Sequence, residues 1–234
     1  MTSPASTVVV TGASGNLGRA VAAAFAERGA NLVLIASRRE SLVSAFGGDD
    51  TKRLFAPADL RDRSAVDAAM HAAVERFGRI DVLANIAGGF RMGTPVYETP
   101  DADWDFLFDI NLRSLLNMVR AVVPHMIAAG RGRIINVGAQ AALKGVARMG
   151  AYCASKSAVI RVTEAMAAEL REKNINVNCV LPTIIDTPEN RTAMPDADPA
   201  RWVAPADLAK VFLFLASEDA RAIHGAALSV TSLS

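Results

Sequence analysis

Short runs of β-branched residues alternate with longer, alanine-rich helical patterns along this chain, and that alternation limits its fold more than any other feature. Short apolar runs bounded by turn residues read as strands covered on both faces, and the helices between them let successive strands pair in parallel. The runs predict strands at Thr7 to Thr11, Asn31 to Ala36, Arg53 to Ala56, Ile80 to Asn85, Gly132 to Val137, Asn176 to Leu181 and Ala226 to Thr231. Helices are expected over Leu17 to Arg28, Ser64 to Phe77, Ala102 to Ala129, Ala151 to Lys173 and Pro205 to Ser217, the last with a first-turn proline. The fold class that follows is α/β, a doubly wound parallel sheet of about seven strands. At 234 residues, 51% of them hydrophobic, the chain suits one domain spanning 1–234 rather than two cores.

Two stretches break the pattern. Pro124 removes a backbone donor and is expected to kink the long Ala102 to Ala129 helix near its end. Residues 183–204, rich in Pro, Asp and Thr, are too long for a simple connection and follow the sixth strand. Open α/β sheets bind ligands beyond the carboxyl ends of their strands, so this stretch reads as a mobile substrate lid, with a plain surface loop as the alternative.

Charge narrows the partners. The net charge is +1 with both signs interspersed, which gives no field to gather nucleic acid or an anionic membrane, so a small-molecule partner is expected. The apolar runs fall short of the roughly 18 residues that a membrane span needs. Cys153 and Cys179 are not closely spaced, and Met1 to Ser6 is short and polar with no basic region, so a cytoplasmic protein with reduced thiols is expected. His71, His125 and His224 are scattered, and no metal site is expected.

The segment Val8-Val-Val-Thr-Gly-Ala-Ser-Gly-Asn-Leu-Gly18 runs from a buried strand straight into a helix, with Gly12, Gly15 and Gly18 punctuating the turn. Backbone amides at Ser14 to Gly18, Asn16 and Leu17 included, would then approach a pyrophosphate closely, where a Cβ would block either the ligand or the strand-helix contact. Enzymes that take NAD usually carry a carboxylate at the end of the second strand to hold the adenine ribose, and here that position is Ala36. Ser37, Arg38 and Arg39 follow, a set that favours a ribose 2′-phosphate and hence NADPH over NADH, unless the arginines merely solvate a helix start. Asp59 and Leu60 follow the third strand; Asp59 is placed either to accept from the adenine amino group or to cap the helix beginning near Ser64. Asn85 ends the fourth strand in Asn85-Ile-Ala87-Gly88-Gly89, and the glycines there let the backbone pass beside a cofactor.

Tyr152 and Lys156 stand four residues apart on a predicted helix, so their side chains share a face and can meet. A free phenol has a pKa of about 10, and a neighbouring ammonium would stabilise its phenolate and bring proton exchange nearer neutrality.

Taken together, Thr11-Gly-x-x-Gly-x-x-Gly18, Asn85-x-Ala-Gly88, Asn111 within Asp109-Ile-Asn-Leu-Arg113, Tyr152-x-x-x-Lys156 and Pro182-x-x-Ile-x-Thr187 resemble the short-chain dehydrogenase/reductase family across essentially the whole chain. The resemblance implies a Rossmann-type sheet and an NAD(P)-dependent oxidoreductase. It implies Tyr152 as acid/base, Lys156 as its electrostatic partner and ribose ligand, and Asn111 as holder of a proton-relay water. Pro182, Ile185 and Thr187 would lie along the cofactor, Thr187 against its carboxamide. A homotetramer is also implied, built on the Ala102 to Ala129 and Ala151 to Lys173 helices and the final strand, with Ala154, Ala158 and Ala165 permitting close approach.

Two positions depart from the family. Its middle glycine falls one place later, where this chain has Asn16. Its catalytic serine, thirteen residues before the tyrosine, is replaced by Ala139. Loss of such a donor typically costs on the order of 10² to 10³ in rate where a carbonyl oxygen must be stabilised. Gln140 is the nearest polar substitute.

A narrower resemblance is carried by Gly138-Ala-Gln-Ala-Ala-Leu143, Ala87-Gly-Gly-Phe90 and the lid from Leu181 to Asp198 followed by Trp202. These are similar to dihydropteridine reductase, a family member that also has alanine at the serine position. A quinonoid substrate is already electrophilic and needs less polarisation, so the missing serine makes chemical sense. The reading is hydride transfer to a quinonoid or activated carbonyl substrate, with Tyr152 as proton donor and Ala139 beside the substrate; Gln140 faces it or lies on an exposed loop, and Phe90 and Trp202 stack on it or serve packing. An ordinary keto or hydroxy dehydrogenase and a non-catalytic dinucleotide sensor are the alternatives.

Overall fold

The computed structural model describes residues 5–234; the first four residues, on which the expectation of no signal segment partly rests, lie outside the described residues. The strands are β1 (Thr7–Thr11), β2 (Asn31–Ile35), β3 (Arg53–Phe55), β4 (Val82–Asn85), β5 (Gly132–Val137), β6 (Ile175–Pro182) and β7 (Ala227–Val230). They form one sheet in the order β3-β2-β1-β4-β5-β6-β7 with every pairing parallel. Strand order reverses between β1 and β4, and a doubly wound sheet leaves a ligand crevice at that point, outside the carboxyl ends.

Helices cover both faces: α1 (Asn16–Glu27), α2 (Arg39–Phe46), α3 (Arg63–Phe77), α4 (Asp101–Phe108), α5 (Ser114–Ala129), α6 (Gly150–Leu170), α7 (Pro188–Ala193) and α8 (Pro205–Ala216). The period-2 geometry of β1 sends Val9 into one core with Val66, Met118 and Val159 of α3, α5 and α6. Val8 and Val10 enter the other, with Val21, Phe25 and Phe212 of α1 and α8. Residues on both faces are apolar because neither face meets water.

Two features differ from the periodicity. Helix α2 has one buried residue, Leu42, so it gives almost no apolar stripe to read; it is held by the Arg39 ion pair to Asp49 and by Arg53 donating to the Phe46 carbonyl. The expected single helix over Ala102 to Ala129 is interrupted, but not at Pro124, which α5 accommodates within its helical run. The irregularity is a π-helical turn at Asp109–Arg113, a widened turn of the kind often found at functional sites. It carries the buried Asn111.

No helix among the described residues is long and apolar enough to cross a membrane, and no cluster of three or more potential metal ligands occurs among them. Cys153 and Cys179 are both buried and unpaired.

Candidate active site

A cleft of about 570 Å³ lies at the reversal point, and most of the sequence-predicted cofactor residues line it: Gly12, Ser14 to Gly18, Ser37, Asp59, Leu60, Ala87, Gly88, Ile185 and Thr187. Gly12 has φ +61, and a Cβ there would lie 3.0 Å from the Ala87 Cα. A Cβ on Gly18 would sit 2.2 Å from the Gly12 carbonyl oxygen, so α1 packs this closely only with glycine at that position. Gly15 is the N-cap of α1 and offers no side-chain cap, which leaves the first amides of the helix facing the cleft.

The turn after β1 is tied to the turn after β4 by one hydroxyl. Thr11 Oγ1 accepts from the backbone N–H groups of Ile86 at 2.9 Å and Ala87 at 3.0 Å. Asn85 does not reach the cleft; its Nδ2 donates to Asn136 Oδ1 at 2.9 Å, which ties β4 to β5, and its Oδ1 is buried without a partner. Pro182 is buried at the end of β6 and likewise does not line the cleft.

The ends of β2 and β3 divide the expected adenosine contacts. Ser37 lines the cleft beside Ala36, and Arg38 is exposed with no side-chain partner among the described residues. Arg39 is turned to other work: it pairs with Asp49, and its guanidinium stacks 5.6 Å from the Phe55 ring centroid. Asp59 is held by Arg61, its Oδ1 accepting from Arg61 N and Nε at 3.0 Å each and its Oδ2 from Nη2 at 2.7 Å. That pairing keeps the Asp59 carboxyl below its usual value. The cap of α3 is Asp62 rather than Asp59, with Asp62 Oδ1 accepting from Ser64 N at 2.9 Å.

Asn111 is the second clamp. Its Oδ1 accepts from Gly89 N at 2.9 Å, and its Nδ2 donates to the Gly89 carbonyl at 3.1 Å and to Ser155 Oγ at 3.0 Å. Ser155 Oγ in turn donates to the Tyr152 carbonyl at 2.8 Å, so one buried network links the β4 turn to α6. At Gly88 the cofactor cleft and this network nearly touch. A Cβ there would lie 2.9 Å from Asn111 Oδ1 and 3.1 Å from Lys156 Nζ.

Tyr152 and Lys156 both lie on α6, as their spacing requires. Lys156 Nζ donates to the Val137 carbonyl at 2.9 Å, and no hydrogen bond joins the two side chains among the described residues. Burial pushes the Tyr152 phenol up to about 12, with Cys153 adding to the shift, and lowers Lys156 to about 8. The phenol is thus held protonated rather than eased toward phenolate, because desolvation disfavours the charged form of each group. Phe90 stands edge-on to Tyr152, with ring centroids 4.8 Å apart, while leaving 54% of itself exposed.

Ala139 is buried at the head of the turn that follows β5 and presents no hydroxyl. Beside it, Gln140 has a buried Oε1 with no partner. Trp202, read from the sequence as serving either the substrate or packing, is 5% exposed, because a large ring gains more by burial at the root of the lid segment than at its surface.

Residues 183–204 are pinned rather than featureless. Ile185 bridges Val203 in parallel, Thr187 Oγ1 caps α7 by accepting from Asn190 N at 3.2 Å, and Arg191 grips Asp186 with bonds of 2.6 and 2.7 Å. Sequence reasoning does not reach Arg61, Phe106, Ile110 and Glu189, which also line the cleft. The one readable signal is Phe106 and Ile110, an i,i+4 apolar pair whose bulk meets Gly89.

A larger groove of about 830 Å³ lies at the amino ends of β1, β4 and β5, away from every motif residue. Its charges are largely paired with one another or nearby, Arg133 with Glu218 at 3.0 Å and Lys210 with Asp207 at 2.8 Å, so the smaller cleft is the better candidate.

The short chain dehydrogenase family matches this chain over residues 6–198. D-threitol dehydrogenase of Mycolicibacterium smegmatis is 35% identical over 234 residues, an alignment covering 95% of this chain and 90% of that protein. Among solved structures, NAD+-bound xylitol dehydrogenase superposes with a TM-score of 0.89 at 28% identity, covering 99% of this chain and 100% of that one. The structure of ElxO with NADP bound superposes with a TM-score of 0.89 at 26% identity and 97% coverage of each chain. The chain belongs to the short-chain dehydrogenase family, and so to the NAD(P)-dependent oxidoreductases.

Gly88→Ala puts a methyl group between the cleft and the Asn111 and Lys156 side chains. The expected result is weaker dinucleotide binding in a fluorescence titration with an unchanged circular dichroism spectrum; unchanged affinity would show that the cleft does not extend to this position.

Proposed function

We propose that this chain is an NADPH-preferring reductase of an activated carbonyl or quinonoid compound. The observation that carries the reading is a buried Ala139 in the place where the family has a hydroxyl donor. A site that supplies a proton but little polarisation suits a substrate that is already electrophilic.

The residues fit a nicotinamide dinucleotide. The cleft has the size of a cofactor site, and the glycine cradle leaves room where any Cβ would meet backbone. The turn from Gly12 to Gly18 and the first amides of α1 would take the pyrophosphate, while Ser37 and Arg38 would take the adenosine end. That Arg39 is engaged elsewhere leaves the preference for NADPH on Arg38 and Ser37, supported by the absence of a carboxylate at Ala36. The nicotinamide, when bound, supplies the hydride.

The chain's own residues supply the rest. Tyr152 donates the proton from its Oη. Lys156 has three N–H donors and gives one to Val137, so two remain for ribose hydroxyls. Asn111 and Ser155 hold the β4 turn against α6, and Phe90 covers one side of the phenol. Residues 183–204 form a lid that borders the dinucleotide cleft through Ile185, Thr187 and Glu189 and covers the substrate side beyond it. A second reading, a keto or hydroxy dehydrogenase, is favoured by the polyol dehydrogenases named among the similar proteins. Turnover of simple ketones or polyols without any reduction of quinonoid dihydropterin would transfer the conclusion to it.

A homotetramer is the assembly we favour, because β7 is an edge strand whose residues are mostly half-buried in the isolated chain. Light scattering should give four times the chain mass, and a monomeric mass would reject it. Replacing Tyr152 with Phe is expected to lower kcat for reduction by roughly 10² to 10⁴ while dinucleotide affinity holds. In the wild type the rate should fall above about pH 8, because Lys156 loses its proton there while Tyr152 keeps its own. An unchanged rate in the Phe variant contradicts the assignment of the acid. Arg38→Ala should weaken NADPH binding by about tenfold and leave NADH binding unchanged; equal losses for both dinucleotides would remove the 2′-phosphate contact.

A further inference from the structure

The lid helix α7 meets the rest of the fold at one polar point. Asn16 Nδ2 donates to Glu189 Oε2 at 2.9 Å, across 173 positions of sequence. Among the described residues this is the one hydrogen bond from α7 to any residue outside 183–204; its other bonds stay within that segment. Both residues line the dinucleotide cleft, Asn16 as the first residue of α1 and Glu189 in the first turn of α7.

Both ends of the bond are held in place. Arg19 Nη2 donates to Asn16 Oδ1 at 2.9 Å, which turns the amide so that its nitrogen faces Glu189. On the lid side, Asn190 Nδ2 donates to the Ile185 carbonyl at 2.8 Å, and the Asp186–Arg191 pair fixes the turn that carries Glu189. A preorganised partner loses less freedom on making the bond, so the contact persists better than an ordinary surface pair. The family turn has glycine where this chain has Asn16, and glycine has no side chain to make such a contact.

We propose that Asn16 and Glu189 form a clasp that closes the lid over the dinucleotide and sets how fast it leaves. The proposal rests on reading the cleft as the dinucleotide site. Both are positioning residues, acting on cofactor retention and not on the reacting atoms. A carboxylate beside a pyrophosphate also repels it, so bond and charge must be separated by experiment. Glu189→Gln keeps the acceptor oxygen and removes the charge, whereas Glu189→Ala removes both.

The test is stopped-flow release of NADPH from the full chain, displaced by excess NADP+, in wild type, E189A, E189Q, N16A and the N16A/E189A double variant. Glu189→Ala and Asn16→Ala should each speed release about fivefold, the size expected for the net loss of one ordinary hydrogen bond. The double variant should release no faster than either single one, E189Q should stay near wild type, and the KM for the organic substrate should not move. Unchanged or slower release in E189A, or a double variant faster than both singles, overturns the clasp. A wild type that binds no dinucleotide overturns the reading of the cleft and the clasp with it, while normal binding with unaltered release overturns the clasp alone.

Discussion

Thr11 accepts two backbone N–H groups from the turn after β4, and Gly12 packs against Ala87 with no space for a side chain. This contact between neighbouring strand ends sets where the crevice opens, because β1 and β4 are the pair at which the winding reverses. From Ala87 the chain passes to Gly89, whose backbone is bonded twice by Asn111. Asn111 reaches Ser155, and Ser155 bonds the Tyr152 carbonyl. The glycine turn and the phenol are thus joined through satisfied polar groups in the interior. Leaving any one of them unpaired costs about 1 to 3 kcal/mol, which is why such a network holds one geometry.

Burial acts on the two ionisable groups of this region in opposite directions from a common cause. It raises the phenol and lowers the ammonium, and each shift favours the uncharged form. Near neutral pH the phenol is protonated at its ordinary value and at the raised one alike, and its burial is the condition under which a neighbouring cation acts on it most strongly.

The parallel sheet was legible because its strands are buried on both faces, and an apolar run bounded by turn residues leaves few other readings. The glycine turn was legible for the same kind of reason, since contacts as short as that at Gly18 admit one residue type. What was not legible depends on partners distant in sequence. Arg39 was expected at a phosphate, but Asp49 and Phe55 hold it. Trp202 was read as serving either the substrate or packing, and it is buried. Asn85 faces Asn136 rather than the cleft. The π-helical turn leaves no mark in composition, so one helix was expected across Asn111 and only Pro124 was singled out, as a kink. Tyr152 and Lys156 share a helix as their spacing requires, yet spacing could not tell that the ammonium would be claimed by Val137.

The proposed reaction is transfer of a hydride within the crevice between β1 and β4 to an electrophilic acceptor. Reduction of an activated ketone with NADPH deuterated at nicotinamide C4, followed by mass spectrometry of the alcohol and of the NADP+ formed, tests it most directly. The expected result is deuterium carried from one stereospecific C4 position to the carbinol carbon, where it cannot exchange with water. Alcohol formed without deuterium from either C4 position, or no cofactor oxidation with any activated carbonyl or quinonoid acceptor, would contradict it.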